Sequence, residues 1–176
     1  MTTLKSLIRT ILDHPKPGIQ FRDITSLLRD PKGLRLAVDG IADRYRDGGI
    51  DLVVGIEARG FIFGTAVAYQ LGLGFIPIRK PGKLPGETIG QDYTLEYGKD
   101  RVEMHADALP KGARVLLIDD LIATGGTAAA AIKLIRSAGG DIIECCFVID
   151  LPDIGGMKVI QDLGCKTFAL VEFEGD

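Results

Sequence analysis

Five short apolar runs recur along this chain, and helical patterns separate most of them. The runs are four to eight residues long and rich in aliphatic residues, which is typical of strands buried on both faces of a parallel sheet. They cover residues 52–56, 75–78, 115–118, 142–149 and 167–173. Strands that alternate with helices build βαβ units. The pattern therefore predicts an α/β fold with a mostly parallel central sheet flanked by helices.

Apolar residues at helical spacing predict the elements that cover this sheet. Leu4, Leu7, Ile8, Ile11 and Leu12 predict an amphipathic first helix, which the Pro- and Gly-containing residues 14–18 should end. A second helix should begin at the Pro31 turn and stop at Gly48 and Gly49. Three further helices are predicted at residues 61–71, 128–138 and roughly 155–163.

One interval interrupts the alternation of strands and helices. Residues 80–92 are rich in glycine, proline and charge and have no apolar period, which predicts a long mobile loop that could act as a lid. A short hairpin should follow, with strands at 93–97 and 101–104 around residues 98–100. The loop and hairpin together cover residues 80–104.

The bulk composition limits the classes of protein to consider. A chain of 176 residues fits a single domain, and its net charge of -3 argues against a nucleic-acid partner, which normally requires a basic face. No apolar run approaches the ~20 residues of a membrane helix, and the N-terminus lacks the pattern of a signal peptide. We expect no membrane association and a cytoplasmic location. Cys145, Cys146 and Cys165 should be buried, reduced thiols.

The segment from residue 115 to 127 reads VLLIDDLIATGGT and combines three features of a phosphate-sugar site. Its apolar run should be a central strand, with Asp119 and Asp120 emerging at the carboxyl end, where open α/β sheets bind ligands. The two carboxylates could accept hydrogen bonds from ribose hydroxyls or face a divalent cation. A small-residue loop then leads into a helix whose first amides favour a phosphate. The loop residues are Ala123, Thr124, Gly125, Gly126 and Thr127.

This segment resembles the ribose-phosphate signature of the type I phosphoribosyltransferases, an apolar strand followed by two acidic residues and a Thr-Gly-x-Thr loop. Residues 124–127 match that loop. The other common phosphate loop requires a lysine that is absent here, and a strand-linked G-x-G-x-x-G is absent as well. The competing interpretation is an ordinary strand-turn-helix in which the two aspartates only cap a helix and solvate a loop.

A second strand-loop-helix unit follows the run at 52–56. Arg59 lies at the start of the predicted helix, where a cation opposes the helix dipole, so its position makes more sense if an anion shares the site. The alternative is a surface ion pair between Arg59 and Glu57. In the family, the corresponding loop, here Glu57, Ala58, Arg59 and Gly60, holds the pyrophosphate of phosphoribosyl diphosphate. Arg79, Lys80 and Lys83 add positive charge where the lid leaves the sheet.

Three further stretches resemble the adenine-specific branch of this family. They are PGIQFRD at residues 17–23, IRKPGKLPG at 78–86 and YTLEYGK at 93–99, and with EARGF at 57–61 they extend the resemblance over almost the whole chain. Gln20 replaces an apolar residue found in some relatives, which is harmless if only its backbone touches the base. The resemblance implies one domain over residues 1–176, with an N-terminal helix and base-binding hood at 1–32.

The resemblance also implies the reaction, in which adenine and phosphoribosyl diphosphate form AMP and pyrophosphate. Mg²⁺ would be carried by the substrate without direct protein ligands, and the enzyme would be a homodimer. Gln20, Phe21 and Arg22 would bind adenine, Phe21 as a stacking platform. Glu96 would exchange a proton with the purine, beside Tyr97 in the lid, while Arg59 would assist the leaving pyrophosphate. Locally, Glu96 could equally be a solvated strand residue.

Two other functions remain open at this point. A phosphoribosyltransferase for hypoxanthine, guanine or xanthine would share the phosphate machinery, although the PGIQFRD segment argues against it. A regulator could bind phosphoribosyl diphosphate without turning it over, and we would expect it to carry a DNA-binding module or a depleted lid.

Overall fold

A computed structural model describes residues 3–95 and 98–175 of the chain. The strands are β1 (Arg9–Leu12), β2 (Gln20–Asp23), β3 (Leu52–Ile56), β4 (Gly74–Ile78), β5 (Thr88–Leu95), β6 (Gly98–His105), β7 (Arg114–Ile122), β8 (Asp141–Asp150) and β9 (Thr167–Glu172). The helices are α1 (Thr25–Arg29), α2 (Pro31–Tyr45), α3 (Gly60–Leu71), α4 (Gly126–Ser137) and α5 (Gly156–Asp162).

The central sheet contains five parallel strands in the order β4-β3-β7-β8-β9. Its register aligns Val54 of β3 with Leu117 of β7, and Leu117 with Cys145 of β8. Two antiparallel pairs, β1 with β2 and β5 with β6, form separate two-stranded sheets. The predicted α/β class and the five predicted central strands are confirmed.

The strands of this sheet contain continuous apolar runs because each face is covered by a separate core. On one face, Val115 and Leu117 pack with α4 and the β5–β6 hairpin. On the other face, Leu116 and Ile118 pack with α2 and α3. A strand buried on both sides has no polar face to alternate with, which explains the unbroken run that the sequence contains.

Helix α3 lies close to β3 because two glycines make room for one aromatic ring. A Cβ atom built at Gly55 would lie 2.6 Å from the Phe75 ring, and one at Gly64 would lie 2.7 Å from it. The ring of Phe75 therefore fills the space between strand and helix. This contact fixes the start of α3, where Arg59 lies, directly above the carboxyl end of β3.

The predicted N-terminal helix is wrong. Residues Lys5–Leu7 form a single 3₁₀ turn, and Arg9–Leu12 then pair with Gln20–Asp23 as an antiparallel hairpin. The turn between them is closed by the Asp13 side chain, which accepts a hydrogen bond from the Gly18 N–H at 2.8 Å. Strand β2 lies close in sequence and supplies hydrogen-bond partners for the backbone of β1. Thr10 and Ile11 of β1 are also β-branched, and such residues favour strands. The apolar spacing was compatible with either structure.

The predicted lid interval is only partly a loop. Residues 88–92, which we expected within the loop, belong to β5, and β5 pairs along its length with β6. Val102 and Met104 of β6 are buried under α4, so the base of this hairpin is part of the core. The hairpin is therefore longer than predicted, and residues 98–100, which we expected to form its turn, belong to β6.

Other boundaries differ by smaller amounts. Strand β7 continues through both aspartates to Ile122, because β8 still pairs with it at Asp119 and Ile122. Helix α4 begins at Gly126, two residues earlier than predicted. Between the two helices predicted at the N-terminus, the chain forms β2 and α1, which were not predicted from the sequence. Helix α2 begins at Pro31 as predicted, with Asp30 accepting hydrogen bonds from two of its first amides.

The three cysteines are buried and free, as predicted. Across residues 3–95 and 98–175, none of the helices has both the length and the apolar character needed to cross a membrane.

Candidate active site

A pocket of about 250 Å³ opens at the carboxyl edge of the central sheet. Three segments line it: residues 57–59 after β3, Lys80 after β4, and residues 119–128 from the end of β7 to the start of α4. These segments lie far apart in sequence, and the parallel register of β4, β3 and β7 brings them to one edge. This is the position at which open α/β sheets bind ligands.

The loop at residues 123–127 is shaped by two glycines that touch each other. Gly125 has a φ of 80°, in the left-handed region that glycine adopts without strain. A Cβ atom at Gly156 would lie 2.3 Å from the Ala123 carbonyl oxygen, so the start of α5 packs directly against the loop. The loop then enters α4, whose first amides lack partners within the helix and favour an anion.

Two adjacent carboxylates, Asp119 and Asp120, line the same pocket. Asp120 is buried, and its Oδ2 pairs with the Nε of Arg59 at 2.7 Å. Burial and the neighbouring Asp120 raise the pKa of Asp119 well above its usual range. Burial also raises the pKa of Asp120, although Arg59 opposes this effect. Two crowded carboxylates of this kind favour a hydroxyl donor or a cation between them.

Glu57 organises the cationic side of the pocket. Its Oε2 accepts hydrogen bonds from the Arg79 Nε at 3.1 Å and from the Lys80 backbone N–H at 2.9 Å. Burial works to raise the pKa of Glu57, but these two donors outweigh it and the pKa is lowered. The Arg79 Nη1 also donates to the Lys83 carbonyl oxygen at 3.2 Å. Glu57 therefore fixes the backbone from which Lys80 extends. The peptide bond between Glu57 and Ala58 is cis.

The hairpin β5–β6 contacts the pocket through Tyr93. The Tyr93 hydroxyl accepts a hydrogen bond from the Lys80 Nζ at 2.9 Å and lies 3.4 Å from the Thr127 Oγ1. The Lys80 ammonium also pairs with Asp100 of β6. The hairpin thus touches both the cationic side and the loop side of the pocket.

The β1–β2 hairpin reaches the site through Phe21. The Phe21 ring lies 5.9 Å from the guanidinium carbon of Arg59 and makes an edge contact with His14. Arg22 is buried and faces elsewhere, with its Nη2 donating to the Glu174 carbonyl oxygen and its guanidinium lying over the Phe173 ring. Its side chain holds this hairpin against the C-terminal segment.

The structure brings most of the predicted site residues together. The pocket is lined by Glu57, Ala58, Arg59, Lys80, Asp119, Asp120 and the whole loop from Ala123 to Thr127. Gly60, Arg79, Lys83, Gln20, Phe21 and Arg22 do not line it. The predicted Glu96 and Tyr97 lie outside the residues that the structure describes.

Sequence reasoning missed two kinds of residue. Leu121, Ile122 and Ala128 also line the pocket, and only their position within or directly after the segment at residues 115–127 could have indicated it. Gly156, at the start of α5, packs against the loop at residues 123–127. The sequence around Gly156 does not indicate this contact, because the contact depends on how α5 packs in the fold. The predicted alternative for Arg59 is wrong, since its partner is Asp120 and Glu57 pairs with Arg79.

Comparison with known proteins agrees with this geometry. The family model of the phosphoribosyl transferase domain matches residues 23–173, which is most of the chain. The chain therefore belongs to the phosphoribosyltransferase family.

Individual relatives narrow this assignment. The adenine phosphoribosyltransferase of Nitrosospira multiformis is 63% identical over 173 residues, covering 98% of this chain and 99% of the relative. The crystal structure of the Thermoanaerobacter pseudethanolicus enzyme of the same name has a TM-score of 0.92 at 45% identity, covering 97% of this chain and 98% of that one. The Saccharomyces cerevisiae enzyme, in complex with an imino-altritol bisphosphate and adenine, has a TM-score of 0.90 at 37% identity and 96% coverage of both chains. Within its family, the chain is placed among the adenine phosphoribosyltransferases.

Proposed function

We propose that this chain transfers the phosphoribosyl group of phosphoribosyl diphosphate to N9 of adenine, giving AMP and pyrophosphate in purine salvage. The observation that carries the proposal is the single pocket in which a helix-start loop, two carboxylates and two cations face one space. A substrate with a phosphate at one end, a ribose in the middle and a diphosphate at the other end matches that order of groups.

The loop and the carboxylates would bind the ribose 5-phosphate part of the substrate. Residues 123–127 would hold the 5′-phosphate through backbone amides and threonine hydroxyls at the start of α4. Asp119 and Asp120 would accept hydrogen bonds from the two ribose hydroxyls. The raised pKa of Asp119 supports this role, since a hydroxyl donor is favourable beside a carboxylate that burial has deprived of water.

The opposite side of the pocket would bind the leaving group. As the bond from C1′ to the diphosphate oxygen breaks, negative charge grows on the pyrophosphate, and preorganised cations lower the barrier most when they face that charge. Arg59 and Lys80 line the pocket on this side, and we include Glu57, Ala58, Gly60, Arg79 and Lys83 in the pyrophosphate subsite. Arg59 would also act as a catalytic residue, because it contacts Asp120 and lines the side of the pocket where we propose the leaving group.

Mg²⁺ is the cofactor that we propose for this reaction. The oxygen donors of Asp119, Asp120 and Glu57 are of the type that Mg²⁺ prefers. In the described ranges, no group of three or more His, Cys, Asp or Glu side chains is arranged to hold a metal ion on its own. We therefore propose that substrate oxygens and water hold the ion, with Asp119 and Asp120 contacting it through water. When bound, it would neutralise charge on the diphosphate.

The β1–β2 hairpin would be the base-binding hood, formed within residues 1–32. Phe21 would stack on adenine, and the backbone of Gln20 and Arg22 would read its amino edge. The Phe21 ring lies 5.9 Å from the guanidinium carbon of Arg59, and this supports a base site beside the proposed pyrophosphate subsite. Glu96 would exchange a proton with the purine, with Tyr97 beside it in a lid at residues 80–104. A closed lid would exclude water and prevent hydrolysis of the activated sugar.

We further propose a cytoplasmic homodimer of single-domain chains, each domain spanning residues 1–176. The exposed side chains of Ile62 and Tyr69 support the dimer, because they lie seven residues apart on one face of α3.

The experiment that tests the function is AMP formation from phosphoribosyl diphosphate, Mg²⁺ and adenine by the purified protein. Parallel reactions would contain hypoxanthine, guanine or xanthine. We expect turnover with adenine alone. Turnover of a 6-oxopurine instead would contradict the base assignment while keeping the phosphate site. Tight binding of phosphoribosyl diphosphate without any turnover would indicate a regulator.

A further inference from the structure

Lys80 is held by the β5–β6 hairpin in a closed triangle of hydrogen bonds. Its Nζ donates to the Tyr93 hydroxyl at 2.9 Å and pairs with the Asp100 carboxylate. The Tyr93 hydroxyl donates in turn to the Asp100 Oδ2 at 2.9 Å. The hydrogen bond from Lys80 lowers the pKa of Asp100. Partial burial disfavours the ammonium, but its two partners outweigh this and raise the pKa of Lys80.

The main chain of Lys80 is fixed as well. Its N–H donates to the Glu57 Oε2 at 2.9 Å, so the residue is anchored at its backbone and at the tip of its side chain. A free lysine side chain loses considerable rotamer freedom when a ligand orders it. In this protein, hydrogen bonds to Tyr93 and Asp100 already order the Lys80 side chain before a ligand binds. Preorganisation of this kind strengthens binding.

One donor of the Lys80 ammonium remains for a ligand. An ammonium group has three N–H donors and no acceptor. Asp100 and Tyr93 take two of them, and Lys80 lines the pocket between residues 57–59 and the loop. The third donor is therefore available to an anion in that pocket.

Tyr93 also contacts the opposite subsite. Its hydroxyl lies 3.4 Å from the Thr127 Oγ1, and its ring lies 3.7 Å from the place a Cβ atom of Gly126 would occupy. One phenol group thus lies between the lysine and the loop that begins α4.

We propose that Tyr93 and Asp100 are positioning residues that hold the Lys80 ammonium at the pyrophosphate subsite, and that Tyr93 sets its distance from the phosphate loop. The inference rests on the proposed function, in which Lys80 contacts pyrophosphate. It adds two residues of the β5–β6 hairpin to the proposed pyrophosphate subsite. Both residues act through Lys80 rather than on the substrate itself.

A double-mutant cycle tests this proposal. The single variants are Tyr93→Phe, Asp100→Asn and Lys80→Ala. The double variants combine Lys80→Ala with Tyr93→Phe and with Asp100→Asn. The dissociation constant of inorganic pyrophosphate with Mg²⁺ is measured by calorimetry, together with the KM for each substrate. Tyr93→Phe and Asp100→Asn should each weaken pyrophosphate binding and raise the KM for phosphoribosyl diphosphate about tenfold, the effect of one hydrogen bond to a charged group. In the Lys80→Ala background neither should have a further effect.

Two measurements separate positioning from a general structural role. The KM for adenine and the melting temperature should stay unchanged in Tyr93→Phe and Asp100→Asn, because neither change touches the base site or leaves a large cavity. Asp92→Asn is the matched control, since Asp92 pairs with Arg101 on the same hairpin and its side chain is 68% exposed. This variant should bind pyrophosphate as the unmodified protein does.

Three results would overturn the positioning role. Tighter pyrophosphate binding by Asp100→Asn would mean that Asp100 competes with the ligand for Lys80. An equal loss on Tyr93→Phe with and without Lys80 would mean that Tyr93 acts independently. Normal turnover and binding in both variants would remove them from the machinery. Failure of the unmodified protein to form AMP and to bind pyrophosphate would instead contradict the proposed function itself.

Discussion

Arg59 connects three parts of the site. Its guanidinium pairs with buried Asp120 and lies near the Phe21 ring, and its position in the pocket faces the proposed leaving group. Arg59→Ala should therefore lower kcat/KM for phosphoribosyl diphosphate by about 100-fold, the usual effect of removing one donor that stabilises transition-state charge. Steady-state kinetics would measure it.

The control for this prediction is Arg46→Ala, which removes a surface arginine paired with Asp43. That variant should keep its kinetics, because an exposed ion pair contributes little. An unchanged affinity of Arg59→Ala for phosphoribosyl diphosphate would remove Arg59 from the site.

Asp23 links the stability of the β1–β2 hairpin to pH. Hydrogen bonds from Thr25 and Arg9 lower the pKa of Asp23 to about 2. A carboxyl group with a depressed pKa stabilises the folded state above its ordinary pKa, and this contribution is lost as the pH falls toward its folded value. The free energy of unfolding should therefore decrease between about pH 4 and pH 2, and by less in Asp23→Asn. Urea denaturation across this range would measure the difference, and parallel curves for the two proteins would contradict the assignment.

Single residues show which positions around the pocket the sequence could predict and which contacts it could not. Asp119, Asp120 and Arg59 were predicted because their residue types follow buried strands at the edge that binds ligands. The partner of Arg59 was not predicted, because Glu57 is its near neighbour in sequence. Asp120 reaches Arg59 only through the pairing of β3 with β7, where Gly55 aligns with Ile118.

At the level of elements, strongly periodic or continuous apolar segments were predicted well. The strands of the central sheet and α2 to α5 lie where the sequence predicts them, within a few residues. The two hairpins were less predictable for a physical reason. Strands β1 and β5 are only partly buried, and the apolar spacing around β1 suits a helix equally well. Their pairing therefore depends on partner strands rather than on local preference.

The contact between α5 and the loop at residues 123–127 gives a prediction at the scale of elements. Gly156→Ala would place a Cβ atom 2.3 Å from the Ala123 carbonyl oxygen, so the loop or the helix must shift. We expect the KM for phosphoribosyl diphosphate to rise about tenfold, because small displacements of positioning groups have large kinetic effects. Initial-rate kinetics at saturating adenine would measure the change.

Gly40→Ala is the matched control for Gly156→Ala. It makes the same substitution within α2, where the nearest contact of the new Cβ atom is the end of the flexible Leu170 side chain at 3.1 Å. This variant should keep its KM. If both variants behave alike, α5 does not shape the loop.

For the whole molecule, the exposed face of α3 leads to a prediction about assembly. Tyr69 is 88% exposed and Ile62 is 45% exposed, and because they share one face of α3 we propose that this face is buried in the homodimer. Tyr69→Glu should convert the proposed homodimer to the 18.9 kDa monomer in light scattering. Leu12→Glu, which changes an exposed apolar residue outside α3, should leave the mass unchanged. A monomeric unmodified protein would contradict the dimer.

The continuation of β7 beyond both aspartates gives the two walls of the site different local stabilities. The backbone at Asp119 and Ile122 stays paired with β8 in the five-stranded sheet, whereas the hairpin that carries Tyr93 is a separate two-stranded sheet. Amide hydrogens in a central sheet exchange with solvent only when much of the protein unfolds, and those of a peripheral hairpin exchange through smaller openings. In the proposed reaction, ligands would therefore enter and leave by displacing the part of the hairpin beyond its buried base, while the carboxylates proposed to contact the ribose would keep their positions.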